Sequence, residues 1–292
     1  MAEALFCSLG LSSGGRVPVA LDIGGSKLAA AWVEEGRVLE RRQVPTPKEG
    51  PQAVVQRALE LIRDWKGPLG IAASGRVVEG RVLALSSDLW PGWEEVPLAE
   101  LFAQTWGDRV KVLNDAQAAA WGEYRYGGWG ASLFYVTLST GIGGGWVQEG
   151  QLRQGVHGLA GHFGHVQRDS QGPRCGCGRM GCLEVLASGS ALERRAGLPP
   201  AKLLERAVQG EGWAQALLKE ATFHVAEALA DLQALLDPEQ VVLGGSLGLN
   251  PLYQTWLYSA LEALPPLYRP RIAPARLGSD SGLLGAADWV ML

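Results

Sequence analysis

An Asn114-Asp115 pair closes the apolar run Val110, Val112 and Leu113. A carboxylate at the end of a buried strand is placed to take a proton, because strand-end loops are where such groups are presented. Further along come Gly158-Leu159-Ala160-Gly161-His162-Phe163-Gly164-His165 and Cys175-Gly176-Cys177-Gly178-Arg179-Met180-Gly181-Cys182-Leu183-Glu184. The glycines between the three thiols let the chain wrap an ion. With His165, Cys175, Cys177 and Cys182 make a Cys3His set that leaves a tetrahedral metal no open position. The expected ion is therefore one structural Zn2+, which fixes the loop carrying His162 and Glu184. The competing reading is a packed cysteine cluster without metal. Clustered thiols fit a reducing cytoplasm better than a disulfide framework, and Cys7 is left without a role.

Two glycine turns complete the set. Asp22-Ile23-Gly24-Gly25-Ser26-Lys27 follows one strand, and Ser139-Thr140-Gly141-Ile142-Gly143-Gly144-Gly145 follows another. Backbone N–H groups of such turns can cradle phosphate oxygens, and glycine lets the backbone come close. Either turn alone reads equally as a tight hairpin. Two in equivalent positions of a repeated unit point to phosphate. Asp22 could then hold Mg2+ through water, and Lys27 or Thr140 could touch phosphate. Asp115 alone reads as the N-cap of the following helix. Beside Asn114 and the two turns, it fits the base needed for phosphoryl transfer to an alcohol. His157 and His224 are given no role. Trp90 and Trp93, in the segment from Ser87 to Trp93, are placed near a pocket, and most other tryptophans in the core.

These groups need elements to hold them. Residues 17–23 predict a buried strand, 28–33 a second and 38–43 a third, with Glu35-Gly36 as a turn. Three antiparallel strands at the start exclude a Rossmann opening, which needs a helix after its first turn. Val54, Ala58, Leu59, Ile62 and Trp65 recur at helical spacing over 52–66. Short strands are expected at 69–73 and 110–113, and a helix at 116–126. The strand, glycine turn, strand unit then restarts at 132–147, which suggests a duplicated architecture. Val225, Leu229, Leu232 and Leu236 line one face of a long helix stopped by Asp237-Pro238. A strand at 241–243 leads into Gly244-Gly245-Ser246, and 283–289 predicts a closing helix.

The 292 residues, 47% of them hydrophobic and 19% charged, describe a globular chain with a substantial core. A net charge of −4 advertises no nucleic-acid surface. No apolar run approaches the ~18 residues of a membrane span. Residues 1–16 lack a basic region and do not read as a signal peptide.

At this point the sequence resembles the ROK family of sugar kinases and sugar-responsive repressors, over roughly residues 17–290. The resemblance rests on Asp22 to Lys27, Asn114-Asp115, Ser139 to Gly145, Gly158 to His165, the Cys175–Cys182 motif, Glu184 and Ser281 to Ala286. It implies an α/β, actin-like ATPase (ribonuclease H-like) fold of two domains with a cleft between them. The division expected is residues 1–115, with helix 282–292 returning to them, and 116–281 with the metal loop. The resemblance implies ATP-dependent phosphorylation of a hexose 6-hydroxyl, with Asp115 as base. It also implies a cytoplasmic enzyme, dimeric or a higher homo-oligomer. Gly75, Arg76, Ser87, Asn114, His162, His165 and Glu184 are expected at the sugar. Gly24, Gly25, Ser26, Lys27, Thr140, Gly141, Gly143, Gly144, Gly244 and Gly245 are expected at ATP.

Two departures bear on specificity. Many glucose-type members carry Glu where this chain has His162, whereas N-acetylmannosamine kinases carry His in a similar segment. Ser74-Gly75-Arg76-Val77 replaces the Pro-Gly-Pro of glucokinases, and Asp88 stands where Asn is common. A neutral His offers one donor and one acceptor, which suits a ring bearing an acetamido group at C2. The expectation is an N-acetylmannosamine-type kinase. The alternative is a glucokinase or broad hexokinase, and a DNA-binding regulator is disfavoured because residues 1–16 are too few for a winged helix.

Overall fold

The computed structural model describes residues 17–85 and 92–292. Val19–Ile23 (β1) pairs antiparallel with Lys27–Glu34 (β2), and β2 with Arg37–Pro45 (β3). On its other side β1 pairs in parallel with Leu69–Ala73 (β4). A small hairpin follows, Arg76–Val78 (β5) with Arg81–Leu83 (β6). Val110–Asn114 (β7) then joins β4 in parallel, giving the order β3-β2-β1-β4-β7.

The same topology repeats. Ser132–Leu138 (β8), Ile142–Gln148 (β9) and Gln151–Arg153 (β10) form an antiparallel meander. Gln240–Gly244 (β11) and Ile272–Pro274 (β12) add in parallel, and the order is β10-β9-β8-β11-β12. This is the duplication expected from the two glycine-turn units. Glu35-Gly36 and Glu149-Gly150 occupy equivalent turns with φ of 47° and 75°, and 52° and 73°. Positive φ at both central residues matches the twist of a two-residue hairpin.

Each sheet has its own core. Leu21, Ile71, Val54, Ala58 and Phe102 pack β1 and β4 against the helices Pro51–Leu61 and Leu98–Trp106. Val136, Leu243, Val225 and Leu229 pack β8 and β11 against the helix Gly212–Leu236. The first helix ends earlier than its apolar spacing predicts. Trp65 reaches the core through a turn in which its amide donates to the Ile62 carbonyl at 2.9 Å.

Two helices, Asp115–Tyr126 and Ser281–Met291, pack face to face, and the second also lies along β1 and β4. The contact requires glycine. A Cβ on Gly122 would overlap the Ser281 carbonyl, and one on Gly285 the Ala118 carbonyl. The buried Glu123 fastens the pair, accepting from Ser281 Oγ at 2.9 Å, Leu277 N at 2.9 Å and Trp129 Nε1 at 2.8 Å. Among the described residues, no helix is long and apolar enough to cross a membrane.

One boundary moves. The expected turn over 139–145 is only Ser139 to Gly141, and Gly143, Gly144 and Gly145 lie inside β9. The cause is packing. A Cβ on Gly145 would sit 2.6 Å from Ala120 Cβ, and one on Gly144 2.7 Å from the Gly161 carbonyl.

Candidate active site

The parallel register sets Asp22 beside Ala72, and Ala72 beside Leu113, so β1, β4 and β7 end together. Ser74 leaves the end of β4, and Asn114-Asp115 the end of β7. Asn114, not Asp115, caps the helix, its Oδ1 accepting from Gln117 N at 3.0 Å. That frees the Asp115 carboxylate. Its Oδ1 accepts from Asn114 Nδ2 at 2.9 Å and Ala116 N at 2.8 Å, and its Oδ2 from Ser74 Oγ at 2.6 Å. Asp115 remains partly open to solvent. Burial pushes its proton affinity above the usual carboxylate range, against these three hydrogen bonds.

Asp22 faces Asp115. Burial first, then the negative charge of Asp115, lift its pKa to about 7, against the opposing charges of Lys27 and Arg41. The turn after it is open: Gly25, Ser26 and Lys27 are exposed, and a Cβ on Gly25 would meet no atom within 4 Å. Its carbonyls are tied back, Gly24 O accepting from Thr46 Oγ1 at 2.7 Å and Gly25 O from Lys48 Nζ.

The second turn sits against other elements. The Ser139 carbonyl accepts from Gly189 N at 2.8 Å, and that of Thr140 from Ser190 N at 3.0 Å. Ser139 Oγ lies 3.2 Å from Ser246 Oγ, beside Gly244 and Gly245. Gly245 has φ of 80°. Glu184 Oε2 accepts from Ile142 N at 3.1 Å, so the residue that follows the cysteine motif braces this turn.

Around His162, several segments meet. Burial, then the neighbouring His165, hold its pKa down to about 4, opposed by a hydrogen bond to the Gly158 backbone. The ring is therefore neutral at pH 7, and its Nε2 is buried with no hydrogen-bond partner among the described residues. Gln117, wholly buried, donates from Nε2 to the Ala160 carbonyl at 3.0 Å and ties the Asp115 helix to this loop. Arg76 pairs with Glu95 and reaches the His157 carbonyl at 3.4 Å, joining the β5–β6 hairpin to the same loop. Gly75, with φ of 116°, turns the chain between Ser74 and Arg76. Ser87, Asp88 and Trp90 lie outside the described residues.

The ligand atoms of His165, Cys175, Cys177 and Cys182 all lie within 4.8 Å of one another. Cys175 Sγ is 3.6 Å from His165 Nδ1, and Cys177 Sγ 3.6 Å from Cys182 Sγ. Tetrahedral Zn2+ with bonds of ~2.0–2.3 Å would space its ligands by roughly 3.3–3.8 Å, and these two pairs stand at that spacing, so the donor set is compatible with the ion. A tight loop holds the thiols: Cys175 N donates to Arg179 O at 2.8 Å and Gly178 N to Cys175 O at 2.9 Å. Without an ion, burial raises the Cys182 thiol to about 12.

The sequence alone did not place Ser74 or Gln117 at the site, nor Glu123 between the two helices that carry it. Gln117 and Glu123 left a signal, as long polar residues in an otherwise alanine-rich helix. Ser74 left none.

The sequence profile described as the ROK family matches residues 18–292. The chain belongs to the ROK family. Its fold is the actin-like ATPase fold of that family's sugar kinases. An N-acetylmannosamine kinase of Haemophilus influenzae is 37% identical over 283 residues, 93% of this chain and 94% of its own. A ROK family glucokinase from Streptomyces griseus, in complex with glucose and AMPPNP, superposes with a TM-score of 0.82. It is 33% identical, covering 94% of this chain and 98% of its own. The ROK hexokinase of Thermus thermophilus has a TM-score of 0.78 and 36% identity, covering 92% and 96%.

Proposed function

We propose that this ATP-dependent sugar kinase phosphorylates the 6-hydroxyl of N-acetylmannosamine or a closely related hexose. The observation that carries the reaction is the Asp115 carboxylate, fixed by three hydrogen bonds at the end of β7 and still reachable from solvent. As the sugar oxygen attacks the γ-phosphorus of ATP, its O–H bond breaks and the proton passes to Asp115. The new O–P bond forms as the bond to the β,γ-bridging oxygen breaks, and ADP leaves. The raised proton affinity makes Asp115 a stronger base than a free carboxylate.

We assign ATP to Gly24, Gly25, Ser26, Lys27, Thr140, Gly141, Gly244 and Gly245. Gly143 and Gly144 serve by letting the helix and sugar loop come close. Mg2+ supplies charge neutralisation on the phosphates, and Asp22 is the residue we assign to hold it through water. The sugar falls to Gly75, Arg76, Ser87, Asn114, His162, His165 and Glu184. With its ring N–H engaged by the Gly158 backbone, neutral His162 offers the sugar its buried Nε2 as an acceptor, which suits the N–H of an acetamido group. Zn2+ on His165, Cys175, Cys177 and Cys182 staples this loop.

We divide the chain into residues 1–115 with the helix 282–292, and 116–281. Closure of the two on the sugar would keep water from the γ-phosphate. The reduced thiol set suits a cytoplasmic enzyme, and the family resemblance suits a homo-oligomer.

A second reading, a glucokinase or broad hexokinase, draws on the similarity to the Streptomyces griseus and Thermus thermophilus enzymes. A coupled assay of ADP release with N-acetylmannosamine, glucose, mannose and N-acetylglucosamine separates the two. The highest kcat/KM is expected with N-acetylmannosamine. A preference for glucose would put the hexokinase reading in its place, and no turnover with any of them would refute both.

A further inference from the structure

We infer that Ser74 positions the Asp115 base and that Oδ2 is the atom that takes the sugar proton. This rests on the reading of Asp115 as base. The two carboxylate oxygens are not equivalent. Oδ1 accepts from Asn114 Nδ2 at 2.9 Å and Ala116 N at 2.8 Å, which occupies both its lone pairs. Among the described residues Oδ2 accepts only from Ser74 Oγ, at 2.6 Å, which leaves a lone pair for an incoming proton.

A hydroxyl suits this place as an amide does not. An N–H can only donate, so it opposes protonation of its partner. A hydroxyl donates to a carboxylate and, once rotated, accepts from a carboxylic acid. When the sugar O–H bond breaks and the proton arrives on Oδ2, the Ser74 O–H turns away and Oγ accepts from the new Oδ2–H. The proton stays on Asp115, and the new Oδ2–H keeps Ser74 Oγ as its partner.

The backbone holds Ser74 in place. Its N–H reaches the Ile23 carbonyl at the end of β1, at 3.4 Å. Gly75, at φ of 116°, turns sharply, and its carbonyl accepts from Asn114 Nδ2 at 3.0 Å. The same Asn114 amide thus bonds the Ser74–Gly75 turn and Asp115 together. The groups facing Asp115 from other elements are Asp22 on β1, itself opposite Lys27 and Arg41, and Tyr135 on β8. They are unchanged by substitution at Ser74.

The test is kcat and sugar KM from about pH 5 to 9 for Ser74→Ala, Ser74→Thr and Asp115→Asn. Ser74→Ala should lower kcat roughly 10- to 100-fold, the worth of one hydrogen bond to a charged group. Loss of a donor to the anion should also move the acid limb of the profile up by about one pH unit. Sugar KM and the unfolding midpoint should stay near those of the parent, and Ser74→Thr should restore both rate and acid limb. An acid limb unmoved in Ser74→Ala, or a Ser74→Thr variant no better than Ser74→Ala, would overturn the proposal while leaving Asp115 as base. Near-parental turnover in Asp115→Asn would instead overturn the base reading itself, and the role of Ser74 with it.

Discussion

In the sheet that carries Asp22, the glycine turn stands open, and a Cβ on Gly25 would meet no atom within 4 Å. In the second sheet, the glycines after the equivalent strand are filled in by their neighbours. Gly145 lies under the Asp115 helix, 2.6 Å from Ala120 Cβ for an added methyl. In the equivalent turn a Cβ on Gly141 would meet Glu184 Oε2 at 2.8 Å, so glycine serves bare backbone in the first turn and close packing in the second turn and the strand that follows it. Duplication preserves the strand order; the demand on each glycine depends on what is laid against it.

The largest effect that could break this contrast is on stability. Gly145→Val should destabilise the protein by more than ~3 kcal/mol, because the helix above it has nowhere to move. Gly25→Ala should stay within about 0.5 kcal/mol in denaturant unfolding, and should weaken ATP binding instead. Equal loss of stability in both variants would end the distinction.

Next is the metal loop, which among the described residues only the second half carries. Metal analysis should return about one zinc per chain, and Cys177→Ser should lose it, with sugar affinity falling roughly 10- to 100-fold. Nucleotide binding to the Gly24–Lys27 turn should survive. A metal-free, fully active protein would contradict the assignment.

Legibility in the sequence follows the same division. Strand β4 runs over the residues expected, because it is a continuous apolar run bounded by turn residues. The Cys3His cluster was readable since its spacing is local, apart from His165. What could not be read depends on segments far apart in the chain. The glycine contacts of Gly122 with Ser281 and of Gly285 with Ala118 need both helices in place. Arg76 was expected at the sugar. Its ion pair with Glu95 and its reach to the His157 carbonyl are set by where a hairpin and a loop meet. The extra strand residues 142–145 were hidden because glycine signals a turn unless a helix presses on it.

Asp22 sharpens the contrast through pH. Its folded pKa of about 7 lies above the ordinary 3.8, so the folded state binds this proton more tightly than the unfolded one. Stability from this group is full below the ordinary value and is lost as pH rises through about 7. Asp22→Asn should therefore raise the unfolding free energy of the ligand-free protein at about pH 8 by roughly 1–2 kcal/mol, allowing for partial solvation, and change it little near pH 4. It should weaken binding of Mg-ATP at the same time. A variant no more stable at pH 8 would show that Asp22 carries no such strain.

The smallest effect expected is in specificity. His162→Glu should move the kcat/KM ratio toward glucose by roughly tenfold, as a carboxylate accepts from the C1 and C2 hydroxyls that imidazole serves less well. Equal damage to both sugars would make His162 a support for the metal loop alone.

The central claim is that Asp115, at the end of β7 in the first half, takes the proton of the sugar hydroxyl. Turnover of purified Asp115→Asn with ATP and N-acetylmannosamine tests it directly, beside calorimetric binding of the sugar. The account predicts a rate lower by roughly 10²–10⁴-fold or more with sugar binding retained. Near-normal turnover in that variant would contradict it.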